Sequence, residues 1–149
     1  MDKNMMKKFN LLLLLVLLSF NSYAVDIKFT STIIKSPRAG MDISVGFFTV
    51  SSDYDVLIKA IESSLIGRIE IHSMEMVKTS GGLEIMKMRK IESPKVIKGL
   101  PFILKPGGNH LMLYDIDKKL LVANELVLKF TLETNSGKLI AQNVVFKIN

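Results

Sequence analysis

The chain has 149 residues, with 20 Lys and Arg against 14 Asp and Glu for a formal charge of +6, and no cysteine or tryptophan. Without cysteine it can build neither a disulfide framework nor a blue-copper electron-transfer centre, which needs a Cys thiolate. Its lysines are scattered rather than clustered and no nucleic-acid motif accompanies them, so nucleic acid is not an expected partner.

Residues 1–24 read as an export signal. Lys3, Lys7 and Lys8 form a positive start, and Leu11 to Phe20 form an apolar run too short to span a bilayer comfortably. Asn21 and Ser22 end that run, and Ser22-Tyr23-Ala24 is a small-x-small cleavage site. The expected mature chain is 25–149, exported to the periplasm with the signal cleaved after Ala24. Lipid attachment through an N-terminal cysteine is excluded by composition.

From Ile27 onward the chain reads as strands. Apolar and polar residues alternate in Ile27-Lys28-Phe29, in Ile43 to Phe47 and in Asp55 to Ile61. Further β-rich runs follow at Ile66 to Met76, Leu83 to Ile91, Lys95 to Leu104, His110 to Tyr114, Glu125 to Leu132 and Lys138 to Ile148. Turn signals separate them, among them Thr79-Ser80-Gly81-Gly82 and Pro106-Gly107-Gly108. Short strands at this spacing predict an all-β sandwich in a single domain. Pro106-Gly107-Gly108 predicts a type II turn that delivers His110 to the start of a strand.

The only two histidines each precede a methionine by two residues, in His72-Ser73-Met74 and His110-Leu111-Met112. After the first six residues, Met41 is the only methionine outside 72–112. Residues i and i+2 of a strand share a face. His72, Met74 and Met76 therefore share one, away from Ile69 and Ile71. Met86 and Met88 share one opposite Leu83, Ile85 and Lys87, and His110 and Met112 one opposite Leu111 and Leu113. A hairpin through Gly81-Gly82 would lay the first two of these strands side by side. A single methionine is ordinarily core filler. That reading weakens when His and Met recur together on faces the aliphatics do not occupy. Neutral imidazole and thioether, without thiolate, suit Cu(I) better than zinc, calcium or magnesium. Glu70, Glu75 and Glu84 read as solvated strand residues, and no Ser or Thr has a His and an acid placed for nucleophilic catalysis.

At these residues the chain resembles the periplasmic copper chaperones of the PCu(A)C type. Their signature is a His, a Met further on and, twenty-one residues later, His-x-Met; here twenty-one residues separate Met88 from His110-Leu111-Met112. Gly67-Arg68-Ile69-Glu70-Ile71-His72, Met86-Lys87-Met88-Arg89 and Leu104-Lys105-Pro106-Gly107-Gly108-Asn109-His110 are also similar to the family's text. The fifteen residues between His72 and Met88 exceed the family's usual spacing, and a longer hairpin loop around Val77 to Leu83 is the expected place for them.

The resemblance implies a cupredoxin-like or immunoglobulin-like β-sandwich, no enzymatic activity, and Cu(I) held by His72, Met88, His110 and Met112. Whether Met74, Met76 or Met86 contributes is open at this stage. The implied role is delivery of copper to respiratory haem-copper oxidase centres. The implied partners are the copper ion and a membrane oxidase subunit or another copper chaperone, with the protein itself a monomer. Two rival readings share the sequence: a copper-resistance or buffering protein with the same ligands, and an immunoglobulin-like adhesin or assembly module without metal.

Overall fold

In strand β2 (Ser44–Ser52) every second residue is buried, so Phe48 and Val50 face a core while Phe47 and Thr49 face outward. The same alternation buries Leu126, Leu128, Phe130 and Leu132 of β9 (Glu125–Thr134) and Val144 and Phe146 of β10 (Leu139–Ile148). The computed structural model describes residues 26–149, so the expected export signal lies outside the described residues. The remaining strands are β1 (Ile27–Ile34), β3 (Val56–Glu62), β4 (Ile66–Lys78), β5 (Glu84–Lys90), β6 (Lys95–Val96), β7 (Phe102–Leu104) and β8 (His110–Ile116).

Hydrogen bonds run continuously in the order β5-β4-β8-β2-β1-β10-β9-β3-β6, with β7 added on β2. The ladder doubles over on itself. Phe48 of β2 and Phe130 of β9 are three strands apart along it, yet their rings pack edge-on with centroids 5.4 Å apart. At about 4.8 Å between neighbouring strands, a flat sheet would separate them by roughly 14 Å. The two layers therefore face each other as a sandwich, with Phe48, Phe130 and Phe146 at its centre. Strand β1 joins them. It pairs antiparallel with β2 and, at Ile33 and Ile34, parallel with β10. Its register shifts between Thr30 and Ile33, where Ser31 takes a positive φ of 53°, and such a bulge bends a strand from one layer toward the other.

Two expectations change. The run Lys95 to Leu104 is not one strand. Gly99 takes φ 72°, Leu100 N–H donates to the Ile97 carbonyl, and the chain crosses from β6, paired with β3, to β7, paired with β2. Asp55 fixes the crossing by accepting the Lys98 N–H at 2.8 Å and the Lys95 ammonium at 2.9 Å. The second change is in the β4–β5 hairpin. Val77 pairs with Ile85 and Lys78 with Glu84, so the extra residues there lengthen the ladder rather than the loop. Only 79–83 form the turn, closed by Thr79 N–H to the Leu83 carbonyl and by Gly82 at φ 79°.

Candidate metal centre on strands β4, β5 and β8

The turn before β8 forms as expected. Gly108 N–H donates to the Lys105 carbonyl at 3.0 Å, Pro106 holds the second position, and Gly107 takes the positive φ (77°) of a type II turn. His110 is therefore the first residue of β8, and it is 5% exposed. Its Nδ1–H donates to the Gly108 carbonyl at 3.0 Å, which leaves Nε2 as the free lone pair.

His72 lies directly opposite His110 in the antiparallel β4–β8 register, and the ring centroids are 6.0 Å apart. Its Nε2 is 2.9 Å from a Glu70 carboxylate oxygen. An ionised carboxylate can only accept, so Nε2 carries the hydrogen and Nδ1 the lone pair. That Nδ1 is buried and has no hydrogen-bond partner. Leaving such a group unpaired costs about 1–3 kcal/mol, and a metal ion would relieve it. Both rings thus present one committed N–H and one free nitrogen. Metal-ligating histidines show this pattern, with a carboxylate or carbonyl fixing the tautomer from the far side.

Glu70 corrects an expectation. It is not a solvated strand residue: its side chain is 13% exposed, and it also meets Arg68 at 3.2 Å and Lys90 at 3.9 Å. The His72 hydrogen bond above all holds its carboxyl below the ordinary value, helped by the Arg68 and Lys90 charges and opposed by burial. The signal was present in the sequence, because Glu70 stands two residues before His72 and so shares its face.

Residues directly opposite in antiparallel strands also share a face. Met112 lies opposite Glu70, and Met74 opposite Met88. His72, Met88, His110 and Met112 therefore occupy one face of three adjacent strands, and Leu111 and Leu113 are fully buried on the other. The histidines meet directly. Met112 is half-buried and one diagonal step from His72. Met88 is one diagonal step from His72 on the opposite side, 57% exposed, and a strand further from His110. Met74 stands between Met88 and the histidine pair. Strand β5 is the sheet edge, and both of its faces are exposed. Among the described residues no group of three or more His, Cys, Asp or Glu could hold a metal ion, and the Glu70 carboxylate is engaged with His72, so the further donors sharing this face include the thioethers of Met74 and Met112.

Residues 27–145 match the LpqE-like family model. The chain belongs to the LpqE-like family. This LpqE-like protein is also 35% identical over 81 residues to the uncharacterized protein RP573 of Rickettsia prowazekii (strain Madrid E). That match takes in 54% of this chain and 42% of RP573, so the chain spans under half of that relative's length.

The fold is the one the resemblance implied, that of PCuAC domains. The copper-bound PCuAC domain from PmoF2 superposes with a TM-score of 0.60 at 16% identity, covering 85% of this chain and 97% of that one. The apo PCuAC domain from PmoF1 gives 0.57 at 18% identity, covering 85% and 98%. Apo-DR1885 from Deinococcus radiodurans gives 0.51 at 14% identity, covering 86% and 81%.

Proposed function

We propose that this LpqE-like protein is a non-enzymatic Cu(I) carrier of the periplasm. It holds one Cu(I) through His72, Met88, His110 and Met112 and hands it to the copper centre of a respiratory haem-copper oxidase. The observation that carries this reading is the buried, partnerless Nδ1 of His72, on a residue directly opposite His110, whose own Nδ1 is committed to the Gly108 carbonyl. Two imidazole nitrogens and two thioethers make a neutral, soft donor set, which favours Cu(I) over hard or borderline divalent ions. Export by residues 1–24, with cleavage after Ala24, belongs to the same proposal, and membership in a family named for a lipoprotein supports an exported protein.

The copper is cargo, and the chain's own residues decide how it is held and released. Glu70 and the Gly108 carbonyl keep the two rings in the binding tautomer before the ion arrives. Met88 sits on the exposed edge strand, so its thioether is the ligand a partner's donor reaches first. In a flat sheet the Cα atoms of Met88 and His110 would lie about 12 Å apart. A common ion thus draws the β4–β5 hairpin toward β8, and relaxing that hairpin lets Met88 go while the buried histidines still hold.

The test is competition for Cu(I) against a chelator of known affinity, followed by transfer to a copper-free oxidase copper-binding domain. We expect one Cu(I) to be held tightly at this site, with an affinity that drops by 100-fold or more in His110→Ala, about 3 kcal/mol at 1.4 kcal/mol per decade. Metal should then move to the oxidase domain. Wild-type affinity retained in His110→Ala would refute the site. Tight binding without transfer would favour a buffering role.

A further inference from the structure

The β4–β5 hairpin carries a second constellation that the histidine site does not use. Met74 pairs with Met88 and Met76 with Met86, in two successive cross-strand rows on the same face. Strands about 4.8 Å apart and a two-residue step of about 6.8 Å make these four Cα positions the corners of a rectangle. Its centre lies about 4 Å, measured in the sheet plane, from each corner. Methionine has three rotatable side-chain bonds, so four thioethers raised from those corners can converge over one point.

The usual structural role of methionine does not account for them. Core filling needs burial, and Met76, Met86 and Met88 are 58%, 55% and 57% exposed. Sheet edges are ordinarily blunted by charged residues, because unpaired edges invite association. On this face the charges only bracket the block, and Lys87 and Arg89 of the same edge strand lie on the opposite face. Lys78 and Glu84 pair at 3.8 Å in the row at the turn end, and Lys90 stands beside His72 at the other end. Neither methionine row holds a carboxylate. A hard cation finds no oxygen side chain there, whereas thioethers select soft ions.

We propose that Met74, Met76 and Met86 form a second, thioether-only site for a soft monovalent cation, Cu(I) or Ag(I). Met88 is the corner shared with the histidine site. When both sites are filled, three thioethers remain to the second ion, and Met88 gives the two ions a common ligand through which one passes to the other. No imidazole takes part, so this site stands or falls apart from the histidine site.

The test is a titration of the purified protein, its methionine methyl groups labelled with carbon-13, with Ag(I) and then with Cu(I) under reducing conditions. We expect saturation at two equivalents, with the Met76 and Met86 methyl resonances shifting during one of them. Met76→Leu with Met86→Leu should lose one equivalent and keep the acid-sensitive one. Leucine conserves volume and both positions are exposed, so the far-UV spectrum and thermal midpoint should not change. His72→Ala with His110→Ala should keep the thioether equivalent, now indifferent to pH between about 7 and 5, since thioether carries no titrating proton in that range. Unmoved Met76 and Met86 methyl signals in the wild type, or two equivalents retained by the double leucine variant, would overturn the proposal. A wild type that binds a single, acid-indifferent equivalent which moves the Met76 and Met86 methyl signals would count against the histidine site and support this one.

Discussion

His72 and His110 face each other across β4 and β8, and each ring is fixed from behind by an acceptor two residues earlier in the chain. For His72 it is the Glu70 carboxylate at 2.9 Å, and for His110 the Gly108 carbonyl at 3.0 Å. One acceptor is a side chain and can be removed; the other is backbone and cannot. Glu70 is therefore the place to test whether tautomer control matters. We expect Glu70→Ala to fold and to weaken Cu(I) binding by about 10- to 100-fold, as loss of a group orienting a metal ligand ordinarily does. Chelator competition reads the change, and unchanged affinity would remove Glu70 from the account.

Glu70 also sets part of the acid stability of the metal-free protein. Its folded carboxyl lies below its ordinary value of 4.5. A depressed folded pKa contributes stability that is present above the unfolded pKa and is lost as pH falls through the folded one. Asp55 acts in the same direction, held down first by the Lys98 backbone N–H and then by Lys95. We expect unfolding free energy to fall as pH drops below about 4.5, and the slope to be shallower in Glu70→Gln. Equal slopes in urea titrations across that range would contradict the ion-paired role of Glu70.

Copper binding should respond to acid in a higher range. A metal-bound imidazole must be neutral, whereas a thioether has no proton to lose. Protons compete with the ion for the imidazole nitrogens, so Cu(I) affinity should decline as the solution is acidified below neutrality. A His72→Met, His110→Met variant should lose most of that dependence. Affinity that stays flat in the wild type would mean that the histidines are not ligands.

Gly67 lets β4 approach β8 closely at the end of the pair away from the histidines. A Cβ built there would lie 2.8 Å from the Cβ of Asp115, which itself takes a positive φ of 55°. The clash is with an atom next to the backbone, so it cannot be relieved by rotating a side chain. We expect Gly67→Ala to cost about 1–3 kcal/mol in chemical denaturation, the usual range for overpacking. A cost near zero would show that the backbone at Asp115 yields freely.

Much of this was legible in the sequence because a strand's side chains alternate by rule. The shared faces of His72 with Met74 and of His110 with Met112 needed only that rule, and the Pro106-Gly107-Gly108 turn only the φ preferences of its residues. Register was not legible. That His72 meets His110 is decided by packing of Ile71, Leu111 and Leu113 into the core, which no local pattern encodes. The burial of Glu70 is not legible either, since its partner Lys90 comes from the neighbouring strand. The break in Lys95 to Leu104 has no local signature, because Asp55, 43 residues from Lys98 in sequence, supplies the acceptor that holds the turn. That the ladder continues past Met76 into Val77 and Lys78 depends on Ile85 and Glu84 across the hairpin, which no local pattern shows.

The central claim is that imidazole and thioether hold the same ion. X-ray absorption on protein loaded with one equivalent of Cu(I) tests it most directly. We expect a shell of mixed nitrogen and sulfur scatterers, with the nitrogen contribution lost in His72→Ala with His110→Ala. A shell of nitrogen and oxygen alone in the wild type would contradict the account.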